Sequence, residues 1–191
     1  MSFNVLVVPE DFRKDEHILR PIVQEMVGTF RKQARVRICH DPRLGGISEA
    51  LKWSRIEAIL DRYRGLVHCF ILIVDRDGKE TRRERLNRLE EKARELLGGE
   101  IFFAENAWQE IEVWALAGMN DLPAKWSWAE IRREPDSKEV YFEPYVEMRG
   151  LAPGGSRKKL GREAAVNYAR IRKLCREDVE ALELRLKGRF G

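Results

Sequence analysis

Two aspartates, Asp75 and Asp77, stand directly after the apolar run Phe70-Ile71-Leu72-Ile73-Val74, and Gly78 follows them. A run this apolar reads as a strand buried on both faces, the kind found in parallel sheets. Ligands of open α/β sheets bind just beyond the carboxyl ends of such strands. In extended chain, residues two apart share a face, so both carboxylates are expected to point at one hard divalent cation, with Gly78 permitting the turn that follows. Glu10 ends the similar segment Val7-Val8-Pro9-Glu10, and Glu110 and Glu112 follow a fourth apolar stretch. A lone acid after a strand is more often solvated or a helix cap. Acids behind separate buried strands at one sheet edge point to a metal site.

The elements that must position these acids follow from periodicity. Phe3 to Val8 reads as a strand, and Ile18, Leu19, Ile22, Val23, Met26, Val27 and Phe30 recur at helical spacing. Arg35 to His40 is a second strand, Trp53 to Tyr63 a helix ended by Gly65, and Leu66 to Val74 the central strand, in which His68 is expected to be structural. Leu86, Leu89, Ala93 and Leu96 mark another helix, Glu100 to Ala104 a fourth strand, and Ala107 to Ala117 a further helix. Strands alternating with helices predict an α/β fold: a mostly parallel four-stranded sheet flanked by helices. Beyond Gly118 the pattern loosens. Irregular structure is expected there, with Val140 to Met148 as an extended piece and Pro153 to Ser156 as a loop, before a long final helix marked by Ala164, Tyr168, Ile171, Cys175, Val179, Leu182 and Leu186. The expected division is a metal-binding core over 1–118 and an extension over 119–191 packed on it.

Charge is distributed unevenly. The chain of 191 residues carries a net +4, but Arg149 to Gly191 holds 12 Lys and Arg against 5 Asp and Glu, a net +7 that leaves −3 for the rest. A basic element beside an acidic body suits a polyanionic substrate, although charge-rich helices are commonly just solvated faces. There is no uninterrupted apolar run long enough for a membrane span and no basic leader before an apolar stretch, so a cytoplasmic protein without membrane association is expected. The three cysteines lack CxxC spacing, and the three histidines lack HxH or HExxH spacing, which gives zinc chemistry no support. Gly150 to Lys158 has Ser156 where a phosphate-binding loop requires lysine. Trp114 is expected in the core, and Trp126 and Trp128 suit a protein interface or base stacking.

The order strand-Glu10, strand-Asp75-Arg76-Asp77-Gly78, then Glu110-Ile-Glu112-Val-Trp114 resembles the Toprim fold shared by topoisomerases, primases and overcoming-lysogenization-defect nucleases. With Glu10-Asp-Phe-Arg-Lys-Asp-Glu16 and a closing basic helix, the chain is similar to stand-alone Toprim-like proteins of bacterial defence operons, commonly encoded beside an ABC-type ATPase. It departs from them at Asp11, where a small residue is usual. The resemblance implies Glu10 as catalytic glutamate, Asp75 and Asp77 as ligands of Mg²⁺ or Mn²⁺, and Glu112 or Glu110 supporting a second ion. It also implies a lysine in the site. Lys138, Lys158 and Lys159 are candidates, with Lys158 taken into the catalytic set and Lys158, Lys159 and Arg162 as phosphate contacts. The implied activity is a metal-dependent nuclease cutting DNA or RNA, such as tRNA, as effector of an antiphage complex with an ATPase subunit and with homodimerisation open. The alternative is a non-catalytic regulatory or structural subunit of such a complex.

Overall fold

A computed structural model describes residues 2–99 and 101–191. The first half alternates as the periodicity requires: β1 (Phe3–Pro9), α1 (Phe12–Gly28), β2 (Ala34–Ile38), the short α2 (Ile47–Ala50), α3 (Trp53–Tyr63), β3 (Cys69–Asp75), α4 (Arg82–Leu97) and β4 (Ile101–Ala107). The four strands form one sheet in the order β2-β1-β3-β4, and every pairing is parallel. The expected α/β class with a four-stranded parallel sheet is therefore what the chain adopts. The expected start of β4 at residue 100 lies outside the described residues.

Alternate residues of the two central strands face opposite layers. Val5, Val7, Cys69, Ile71 and Ile73 join the core on the α1 side, whereas Leu6, Val8, Phe70, Leu72 and Val74 join the core against α3 and α4. The apolar runs in β1 and β3 follow from that burial on both faces. The chain moves outward from β1 to β2 by way of α1 on one face, and from β3 to β4 by way of α4 on the other. The carboxyl ends of the adjacent strands β1 and β3 thus flank the point where the winding reverses, which opens a crevice in such sheets.

The second half is helical rather than irregular. It contains α5 (Glu112–Ala117), α6 (Trp128–Arg133), a π-helical turn over Lys138–Phe142, α7 (Glu143–Met148), α8 (Pro153–Val166), α9 (Tyr168–Leu174), a second π turn over Arg176–Glu180 and α10 (Ala181–Phe190). Four expectations change. Val140 to Met148 is helical because Phe142, Tyr145 and Val146 turn inward at spacings of three and one, and Pro144 sits in the first turn of α7, where no N–H is needed. The Pro153 to Ser156 loop is the first turn of α8 for the same reason. The single long final helix is three helices, broken at Asn167, whose side chain donates to the Gly118 carbonyl at 2.8 Å, and at Cys175. The apolar spacing runs on through both breaks, so periodicity alone does not reveal them. Lastly, the helix expected from Ala107 begins only at Glu112, because β4 continues to Ala107 and Gln109 adopts a left-handed φ of 73°.

Residues 119–191 share the core of the α1 layer, from Met119 to Leu186. Trp114 is fully buried there, as expected. Trp126 and Trp128 are partly buried against the same cluster; Trp128 Nε1 donates to the Leu174 carbonyl at 3.2 Å, and Trp126 meets Tyr141 edge-on at 5.1 Å. His68 lies just ahead of β3 and is exposed, its Nδ1 accepting from the Asn4 N–H at 3.0 Å.

One buried charge fastens this layer to the sheet. Asp178 in the second π turn is fully buried and accepts from the Trp108 N–H at 2.7 Å, from Trp114 Nε1 at 2.7 Å and from both Nη atoms of Arg132 at 3.1 and 3.2 Å. Removing one partner of such a network strands the others without water. Asp178→Ala is expected to lower unfolding free energy by about 3–5 kcal/mol, read as a reduced urea midpoint; a midpoint unchanged from wild type contradicts this assignment.

Candidate metal centre

At the carboxyl edge of the sheet a cavity of about 350 Å³ is lined by Glu10, Asp15, Asp75, Glu110 and Glu112, with Lys138, Arg157 and Lys14 at its wall. Within it, carboxylate oxygens of Asp75, Glu110 and Glu112 lie within 4.8 Å of one another. Three strands and two helices deliver these groups. Asp75 ends β3, and its Oδ1 accepts from the Ile111 N–H at 2.8 Å, so the residue between the two glutamates is tied to the aspartate and both flanking side chains converge on it. Glu10 follows β1, and its Oε2 accepts from the Asp75 N–H at 3.3 Å across the β1–β3 crevice. Glu110 Oε2 accepts from the Lys138 N–H at 2.6 Å and from Ser137 Oγ at 3.0 Å, which links the loop before α5 to the first π turn.

Asp77 is not brought into this cluster. The chain leaves extended geometry at Asp75, Asp77 takes a left-handed φ of 49°, and its carboxylate pairs with Arg82 at 3.0 Å. The face-sharing rule for residues two apart holds only while the strand continues. Gly78, with φ of 64°, makes the expected turn. Gln109 holds that turn: its carbonyl accepts from the N–H groups of Arg76 (2.8 Å) and Asp77 (3.2 Å), and its Oε1 accepts from the Gly78 N–H at 2.9 Å.

The cations also differ from expectation. Lys158 lies outside the cavity, in a neighbouring groove with Arg162, and Lys159 is exposed. Of the three candidate lysines the cavity is lined by Lys138, whose Nζ pairs with Glu139 at 2.7 Å and Glu143 at 3.6 Å. The cation in contact with the acids is Arg157, one residue before Lys158, which forms a close ion pair with Glu112. The sequence pattern Arg157-Lys158-Lys159 does not distinguish them until the face of α8 is known.

Asp15 is the acid that motif spacing passes over. It sits in the first turn of α1, is 7 % exposed, and accepts from the Asp11 N–H at 3.2 Å while Asp11 caps the helix through the Arg13 N–H at 3.1 Å. The signal was a helix start directly after Glu10: an acid one turn inside α1 is carried back over the strand end.

Burial and like charge raise Asp75, Glu10, Asp15 and Glu110. Loss of solvent is the largest cause throughout. Asp75 is pushed well above the ordinary carboxylate range by burial and then by Glu112, Glu10 and Asp15. Glu10 is raised by burial, against a lowering from the Asp75 N–H, and Glu110 by burial likewise. Asp15 is pushed up to about 7 by burial and by Glu112 and Glu10. Hard oxygen donors gathered this closely fit a divalent cation of the Mg²⁺ or Mn²⁺ class, which would offset their mutual repulsion.

No protein-family model, curated protein or solved structure matches the chain.

Because the folded-state value of Asp15 is raised, the folded protein binds the proton more tightly than the unfolded chain, and stability falls as pH rises from the ordinary carboxyl range to about 7. In chelator, melting temperature should therefore drop between about pH 4 and pH 7, and Asp15→Asn should recover on the order of 2–3 kcal/mol at the upper end. A pH-independent melting temperature, or an Asp15→Asn variant less stable than wild type at high pH, contradicts this electrostatic account of the cavity.

Proposed function

We propose that the protein is a Mg²⁺- or Mn²⁺-dependent phosphodiesterase that cuts DNA or RNA, with Asp75, Glu110 and Glu112 holding the ion. The observation that carries this reading is the convergence of three carboxylates within 4.8 Å at the carboxyl edge of a parallel sheet, beside Glu10 and Asp15 and under Arg157 and Lys138. A bound divalent ion of this class supplies Lewis acidity toward a phosphodiester and lowers the pKa of a coordinated water.

The chain's own residues do the rest. Glu10 is half-buried, raised in pKa and oriented by the Asp75 N–H, which suits it to accept a proton from the attacking water. Arg157 and Lys138 stand at the wall of the cavity, where a guanidinium and an ammonium attract phosphate oxygens and orient the backbone. Ser137 and the Lys138 N–H fix Glu110, and the Ile111 N–H fixes Asp75, so these carboxylates are held in place before a ligand arrives. The Toprim resemblance adds to this reading the role of effector in an antiphage complex with an ABC-type ATPase; that part rests on the resemblance alone.

A second reading has its own observation. Arg157 already pairs with Glu112, and Glu110 already has two donors, so the cluster is partly neutralised by the protein itself. In this reading the acids are a structural element of a non-catalytic subunit.

The two readings separate on metal response. Under the first, Mn²⁺ raises the melting temperature of wild type but not of Asp75→Ala, and Mg²⁺-dependent cutting of plasmid DNA or tRNA falls at least about a hundredfold in Asp75→Ala, the scale of losing a group that acts in the transition state. Cutting that persists in Asp75→Ala, or no thermal response to Mn²⁺, favours the structural reading.

A further inference from the structure

Beside the acidic cavity lies an open groove of about 500 Å³ between α1 and α8, lined by His17, Arg20, Lys158 and Arg162 together with Glu16, Pro21 and Gln24. Two residues make the helices meet there. Pro21 has no N–H to return to the carbonyl of His17 one turn earlier, and Gly161 packs on that carbonyl so closely that a Cβ would overlap it. With α8 seated on α1 in this way, cations of both helices face one groove.

Among the described residues, Arg20, Lys158 and Arg162 form no ion pair, whereas Arg172 and Arg185 are engaged by Glu180, Glu183, Glu90 and Glu105; Lys159, Arg170, Lys173, Arg176 and Arg189 form none either, and what sets the three apart is that they line one groove. The groove's acid, Glu16, is itself engaged by His40 at 2.9 Å. Unpaired cations converging on one cleft create a positive field that an anion relieves. The groove also adjoins the acidic cavity along both helices. Arg157 lines the cavity and Lys158 the groove on α8; Lys14 lines the cavity and His17 the groove on α1.

We infer that the α1–α8 groove binds the phosphodiester backbone of a nucleic acid and leads it to the cavity that holds Asp75. Arg20, Lys158 and Arg162 contact phosphates without reading bases, and the chain of phosphates continues past Arg157. This assignment rests on the phosphodiesterase reading for the identity of the polyanion, and its test does not depend on cutting.

The experiment is fluorescence anisotropy in EDTA with a short labelled single-stranded DNA, an RNA of the same sequence and the matching DNA duplex, at increasing potassium chloride. The triple variant Arg20→Gln/Lys158→Gln/Arg162→Gln, checked for an unchanged melting temperature, should flatten the slope of log K against log salt by about 2–3, since each lost phosphate contact removes about 0.7 for a single strand and about 0.9 for a duplex. Arg94→Gln/Arg189→Gln, altering two arginines at the opposite edge of the sheet near the start of β4, should leave the slope as in wild type. Which of the three probes shows the largest change separates RNA from single-stranded and duplex DNA. An unchanged slope in the triple variant, a wild type that binds none of the three, or equal competition by a polyglutamate of matching charge overturns the assignment. Cutting that depends on Asp75 with an unchanged slope leaves the phosphodiesterase standing and removes the groove; a flattened slope without any cutting does the reverse.

Discussion

Several carboxyl groups share one cavity at the end of β3, and like charges gathered in such a place repel one another unless something positive joins them. That constraint governs the surrounding structure. Asp75 lies where a strand buried on both faces emerges, so it is desolvated by the fold itself, and Glu10 is brought to it because β1 and β3 are neighbours that end together. The protein answers part of the charge with Arg157 and part with backbone N–H groups of Ile111 and Lys138. A divalent cation would answer the remainder with fewer groups held at higher charge density.

The helical second half supports the acids from behind. Asp178 binds the Trp108 N–H at the end of β4 and the Trp114 indole in α5, which brackets the segment carrying Gln109, Glu110 and Glu112. Gln109 in turn fixes the Arg76 to Gly78 turn, and Arg76 stacks over the Trp108 ring at 3.9 Å from its centroid. The strand end, the glutamate loop and the second π turn are therefore tied together by hydrogen bonds. Part of the basic charge of residues 149–191 is used within the fold, since Arg172 and Lys187 meet the buried Glu183, and Arg185 joins the network of Glu90 and Glu105. Lys158 and Arg162 of α8 form no such pair and line the groove at the α1 contact.

How far the sequence is legible follows from which forces act locally. The sheet and its parallel class could be read from Val5 to Val8 and Phe70 to Val74, because burial on both faces demands unbroken apolar residues, and the approach of Glu10 and Asp75, with one of Glu110 and Glu112, followed from strand ends at one edge; that both glutamates line the cavity did not follow from it. Asp77 misled because alternation stops where the strand stops, and a left-handed φ turned the side chain to Arg82. Asp15 and Arg157 were hidden for another reason. Each reaches the cavity by the rotation of a helix relative to its neighbour, and the close approach of Gly161 to His17 that sets the rotation of α8 on α1 has no signature in spacing. The breaks at Asn167 and Cys175 escaped because the apolar repeat, the only long-range signal in that segment, continues across them.

The most direct measurement is anomalous diffraction from crystals soaked in Mn²⁺. The account predicts a peak bounded by Asp75, Glu110 and Glu112, with Arg157 withdrawn from Glu112, and loss of that peak in Asp75→Asn. An empty cavity with Arg157 still paired to Glu112, in crystals that diffract well at saturating Mn²⁺, would contradict it.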